Sequence, residues 1–231
     1  MTFASPLRGA AEIIGPEKLP RQVVLWGSYL FLAITASLTV LLIASAPLNP
    51  ASLIVLLLLV SGVFFYAVPP FRQLTFSYHE LLLTIWIAGL IPALGFLLQV
   101  GQFHRLIAMT TFPLAAVHLA MVLIYSLEDF ALDMKYELPS FLARIGWQEG
   151  MNLHNFLIIG AYVLVLAALI FGMPLAIALP ILVTVPLGGF LVWNMLIISR
   201  GAKPNWRSLE ITAIALFLAM TYLATYGFWT R

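Results

Sequence analysis

The sequence predicts an all-α membrane protein, a polytopic bundle of seven transmembrane helices, and three observations carry that expectation. Of the 231 residues 63% are hydrophobic and only 9% are charged, with a mean hydropathy of +1.06. A soluble domain is about 45–50% apolar and about 25% charged, so no globular interior hides this much apolar surface and lipid must be the solvent. Apolar runs of spanning length recur seven times, and the charges gather between them on alternate sides. Residues 1–231 are expected to form a single transmembrane domain. The absence of cysteine excludes a disulfide framework, an iron–sulfur cluster and a thiolate zinc site. Scattered basic residues and a net charge of +2 give no nucleic-acid footprint.

Each element follows from what a bilayer core about 30 Å thick demands, roughly 20 mostly apolar residues per helix. The first segment, 1–21, is a cytoplasmic N-terminal stretch rather than a signal peptide, because Glu12 and Glu17 stand where an apolar run would be needed. The spans are then 23–46, 51–68, 81–100, 106–125, 156–172, 174–198 and 211–229, and none contains Lys, Arg, Asp or Glu. The two shortest, 51–68 and 156–172, are expected to extend by a turn. Gly89, Pro92 and Gly95 predict a kinked or closely packed third span. His118 is the one ionisable side chain of interest inside a span. Such a group is costly in lipid and faces the bundle interior, and a hydrogen bond to a neighbouring helix is its favoured role. Trp26, Trp147, Trp206 and Trp229 lie near span ends, as in interfacial belts.

Charge fixes the expected orientation. With the N-terminus cytoplasmic, the inner segments 1–22, 69–80, 126–155 and 199–210 hold nine of the eleven basic residues, the positive-inside signature. The C-terminus then lies on the opposite side. All nine acidic residues also fall on the inner side, so polar chemistry belongs to that face.

Two inner loops carry the candidates. In 69–80, Pro69 and Pro70 end a helix because proline lacks a donor and clashes with the preceding turn. Arg72 follows, and Glu80 opens the next helix, where a carboxylate suits the positive end of the dipole. A helix-end anchor and a helix-start acid account for both. In 126–155, Asp129 and Asp133 are four residues apart and share a face if helical. Mg2+ suits such a pair, since it prefers oxygen ligands and bridges carboxylates to substrate phosphates. Lys135 and Arg144 stand near enough in sequence to take phosphate oxygens. The competing account is a solvated amphipathic loop in which Glu128, Asp129, Asp133 and Glu137 pair with Lys135 and Arg144. His79 and His154 at helix starts, and His104 in an outer loop, are expected to be polar interfacial residues.

Taken in order, Tyr66 to Arg72 (YAVPPFR), Glu80, the run GLIPALGFLLQ at 89–99 and DFALD at 129–133 resemble the UbiA superfamily of intramembrane prenyltransferases. The stretch KYELPSFLARIGWQEGMNLHNFLI, with its Leu138-Pro139 pair and Arg144-Ile145-Gly146 step, is similar to the family's segment after its second Asp-rich motif. GAKPNWRSLEITAIALFL is similar to the inner loop and last helix of some members, and the resemblance covers roughly residues 5–231. It implies transfer of a polyprenyl group from its diphosphate to an aromatic acceptor such as a quinone precursor. It also implies Mg2+ on Asp129 and Asp133, with Arg72, Lys135 and Arg144 on the diphosphate and Tyr66 at the cavity mouth. Members usually have nine spans and a first motif of the NDxxDxxxD type. The seven spans here align with spans three to nine, and the first motif is absent from the sequence given. Ser77-Tyr78-His79 also stands where a glycine-rich step is common. Activity would then require the missing motif from another chain or from upstream sequence. The alternative is a non-catalytic membrane subunit that binds a quinone, pigment or isoprenoid within a larger complex, its open flank seating a partner.

Overall fold

A computed structural model describes residues 20–45, 48–67, 78–135 and 140–230, leaving out the side chains of 21, 24 and 63–67. Among these residues every regular element is helical: α1 Arg21–Ser45, α2 Pro50–Ala67, α3 His79–Thr84, a π turn Ile85–Leu90, α4 Ile91–Val100, α5 Arg105–Lys135, α6 Phe141–Ile145, α7 Trp147–Ile170, α8 Leu175–Leu182, α9 Val185–Ser199 and α10 Trp206–Trp229. Among the described residues, five helices are long and apolar enough to cross a membrane, and α8 with α9 makes a sixth if that bent pair is one span. The chain is thus a multi-pass, all-helical membrane protein. The sequence predicts seven spans; the described residues give five or six, and the described apolar part of α2, Pro50–Gly62, is shorter than a full span.

The chain divides into two compact units, residues 1–50 and 51–231. In the first, α1 is apolar around its circumference, as a helix bathed in lipid requires. Its Thr35 and Thr39 hydroxyls donate to the carbonyls of Phe31 and Thr35, each at 2.8 Å. In hydrocarbon a hydroxyl without water must find such a partner on its own helix.

The second unit is built around α5. Its 31 residues rise about 46 Å, well beyond an apolar core of about 30 Å, and Pro113 lies inside without ending the helix. The helix packs against α7, α10, α6 and the α3–π–α4 rod. Leu123, Ile124, Leu127, Met151, Ile158, Leu191, Met195 and Leu216 are among the side chains that fill the core. Helices approach closely where a residue lacks a side chain. A Cβ at Gly227 of α10 would stand 2.6 Å from the Ala176 carbonyl oxygen and 2.7 Å from Ile177 Cα of α8. At Gly62 of α2 it would run into the Trp86 indole of the π turn.

The interruptions have local causes. Gly101 adopts φ 78° and caps α4 through its N–H to Leu97 O at 2.9 Å, the left-handed ending that glycine adopts without strain. Gly146, at φ 87°, lets the chain pass from α6 directly into α7. Between α8 and α9 the path bends by 41°. Pro186 has no donor for the Leu182 carbonyl, and at the bend the Thr184 hydroxyl donates to Ile181 O at 2.7 Å and meets Tyr162 OH at 3.0 Å. The third predicted span is also irregular, through a π turn that precedes Pro92. Its glycines are not packing contacts, however, because a Cβ on Gly89 or Gly95 meets nothing within 4 Å. The close approach falls on Gly62 instead.

Candidate functional site

Aromatic contacts gather three sequence segments at one end of the larger unit. Tyr78 before α3 lies 6.1 Å from Phe141 of α6, and the Arg144 guanidinium sits over the Tyr78 ring at 5.4 Å. Phe130 of α5 packs on Trp147 of α7 at 5.8 Å, and Trp147 meets Trp206 of α10 edge-on at 5.6 Å. The segments expected on one side of the membrane, those ending at Glu80 and containing 126–155 and 199–210, therefore converge. At the other end Phe96 contacts His104 and Phe228.

Much of the expected loop 126–155 is helix. Helix α5 continues through Ser126 to Lys135, so Asp129 and Asp133 stand one turn apart on a rigid element, both half-buried. Lys135 is exposed at the last residue of α5, and Arg144 is exposed on the one-turn helix α6, whose start is capped by the Ser140 hydroxyl accepting from Ala143 N at 3.2 Å. Tyr66 is the penultimate residue of α2, with its side chain outside the description, and Arg72 lies outside the described residues. The structure thus brings Asp129 and Asp133 together on one helix and sets Arg144 on an adjoining one. An all-oxygen pair at this spacing suits Mg2+, which is commonly held by one or two carboxylates plus phosphate. Among the described residues, no group of three or more His, Cys, Asp or Glu is arranged to hold a metal.

A second acidic neighbourhood adjoins the first. Glu210 of α10 lies close enough to Glu128 and Asp129 to feel both carboxylates. Burial, and then the nearby Glu128 and Asp129 carboxylates, push the Glu210 carboxyl up to about 7. Tyr125 is close enough to feel both Glu128 and Glu210. Glu210 did not stand out in the sequence, because it lies 82 residues from Glu128.

The least expected feature lies between α3 and α5. Glu80 stands in the first turn of α3, as expected of a helix-start acid, but is fully buried, with 0% of its surface exposed. Its Oε1 accepts from Ser126 Oγ at 3.3 Å. His79 Nδ1 stands 3.3 Å from Oε2, an ion pair when the imidazole is protonated, yet Oε2 accepts no hydrogen bond from any described residue. One turn deeper, Thr84 Oγ1 and His118 Nδ1 meet at 2.9 Å, and the His118 ring lies edge-on to Phe217 at 5.0 Å. The expected hydrogen bond of His118 to a neighbouring helix is therefore present. His154, expected at the interface, is buried in α7 with Nδ1 3.1 Å from Asn155 Oδ1.

These groups form one stripe. On α5, His118, Val122, Ser126, Asp129 and Asp133 recur at intervals of three or four residues and share a face. The stripe runs about 22 Å along the helix, from the charged end to the middle of the bundle, and Glu80 and Thr84 of α3 pair with its buried part. The sequence signal for Glu80 was its position against an apolar run with Thr84 one turn on. What hid its burial was the helix that covers it.

No protein family, no curated protein and no solved structure matches this chain.

Proposed function

We propose that the chain is a UbiA-type, seven-span membrane protein with its N-terminus cytoplasmic, which binds an isoprenyl diphosphate at the charged end of the bundle for transfer of the prenyl group to an aromatic acceptor. The supporting observation is the placement of Asp129 and Asp133 one turn apart on α5, continuous with a polar stripe that enters the bundle. Both aspartates would hold Mg2+, which when bound neutralises the charge developing on the departing diphosphate. Lys135 at the α5 end and Arg144 on α6 supply donors for phosphate oxygens, arginine in bidentate fashion. Arg72 and Tyr66 complete the proposed site by resemblance. Burial of α5 among apolar neighbours keeps water from the allylic carbon, so the acceptor rather than water captures it.

The test is Mg2+-dependent transfer from a labelled isoprenyl diphosphate to a hydroxyaryl acceptor, using the full chain in its native membranes so that any partner bearing a first Asp-rich motif is retained. Transfer that collapses in Asp129→Asn and Asp133→Asn supports the reading. Transfer indifferent to both removes the site assignment. A second reading, a non-catalytic subunit that binds a quinone, pigment or isoprenoid, draws on the polar stripe reaching the bundle interior. It predicts no transfer and a lipid or pigment that co-purifies through detergent washes.

A further inference from the structure

A fully buried carboxylate with one oxygen unserved is an expensive arrangement. Burying an ionised carboxyl group without compensating hydrogen bonds is strongly unfavourable. Glu80 has one such bond, from Ser126 to Oε1, while Oε2 accepts none among the described residues. On α3, His79 Nδ1 stands 3.3 Å from Oε2 without making a hydrogen bond to it, and Thr84 is engaged with His118; on α5, Ser126 is engaged with Oε1 and with the Val122 carbonyl at 3.4 Å. The helix also leaves regular geometry immediately beyond Thr84, in the π turn Ile85–Leu90. Such turns are frequent at functional sites. Aromatic surface adjoins the deeper rung through Phe217, edge-on to His118.

We propose that the Glu80–Ser126 and Thr84–His118 seam between α3 and α5 is a binding site for the hydroxyl of a lipid-soluble aryl ligand, which donates its proton in a hydrogen bond to Glu80 Oε2. A phenol-type hydroxyl is a strong neutral donor, so it satisfies the carboxylate without carrying a charge into lipid. Its ring is apolar enough to lie against Phe217 and the surrounding aliphatic core. Ser126 fixes the carboxylate plane through Oε1 and leaves Oε2 as the acceptor. The choice of an aryl hydroxyl rests on the prenyl-acceptor reading, in which Glu80 positions the acceptor at the inner end of the Asp129 stripe. It involves neither Mg2+ nor diphosphate.

The experiment compares 2-naphthol with its methyl ether, 2-methoxynaphthalene, as ligands of the detergent-solubilised full chain, with no diphosphate or Mg2+ present. The two probes share a ring and differ in the donor. Hydrogen bonds to charged groups predict about tenfold to hundredfold tighter binding of the naphthol. In Glu80→Gln, which keeps size and shape, the preference falls to within about threefold while the ether binds as before. Equal binding of the two probes to the wild type overturns the proposal, and that is the result expected if His79 alone serves the oxygen. A preference retained in folded Glu80→Gln overturns it as well. Should that variant not fold, difference infrared spectroscopy on the unaltered chain decides: the carboxylate stretch shifts with naphthol and not with the ether, and an unmoved band refutes the site. Selective naphthol binding without any prenyl transfer would uphold this site while rejecting the transferase reading.

Discussion

The two faces of α5 contrast sharply. Toward α7 the helix is apolar and tightly packed: Leu127 is fully buried, and a Cβ on Gly150 would stand 3.4 Å from Leu127 Cδ2 while colliding with Leu142. Toward α3 the same helix presents Ser126 and His118, each engaged by a side chain from the neighbouring rod. Buried surface alone would favour making both faces like the first, since a polar seam contributes little net stability in lipid. One helix can nonetheless carry both, because the dense packing on one side fixes the position of the groups on the other. The comparison teaches that the α7 face holds the helix and the α3 face carries its buried polar contacts, the face that the proposed reading assigns to a ligand.

Substitutions that separate the two faces put this division to the test, and the largest effect is expected on activity. Under the prenyl-transfer reading, Asp129→Asn should lower the transfer rate about 10²–10³-fold, the loss typical of one electrostatic stabiliser, while unfolding in mixed micelles stays near that of the wild type. A matching loss of stability would place Asp129 in the structural half instead. Leu127→Ala on the opposite face should do the reverse, lowering stability by about 2–5 kcal/mol through the cavity it leaves, as measured by denaturant unfolding in detergent. Away from α5, Gly227→Ala should cost about 1–3 kcal/mol, because its Cβ meets backbone atoms of α8 that cannot swing aside. An unchanged unfolding midpoint would show that α8 and α10 are looser than their close approach implies. The smallest effect belongs to the seam: Thr84→Val removes the hydroxyl at His118 and should destabilise by only about 0.6 kcal/mol, the average for side-chain hydrogen bonds within membranes. A loss of several kcal/mol there would make the α3 face structural too.

Legibility in the sequence followed the physics of each signal. Long apolar runs announce helices because the bilayer admits little else, and the bounds of α1 and α10 fall within a few residues of the predicted spans 23–46 and 211–229. Helix α5 overran its expected end by ten residues, 126–135, since hydropathy marks where lipid stops and not where backbone hydrogen bonding stops. Asp129 and Asp133 were visible as a pair from their spacing alone. Glu80 was visible as a residue but not as a buried one, and Glu210 was not visible as a neighbour of Glu128.

The sequence by itself determined that this chain is helical, apolar and membrane-spanning, because composition and run length decide which solvent a segment can occupy. It also determined that the aspartates lie on a common face once helical, since that follows from 3.6 residues per turn. Only the tertiary structure decided which charges leave solvent. Burial of Glu80 and its pairing with Ser126 require α3 to lie along α5, 46 residues away in sequence, and a contact across that distance is set by how helices pack, not by any pattern local to either one.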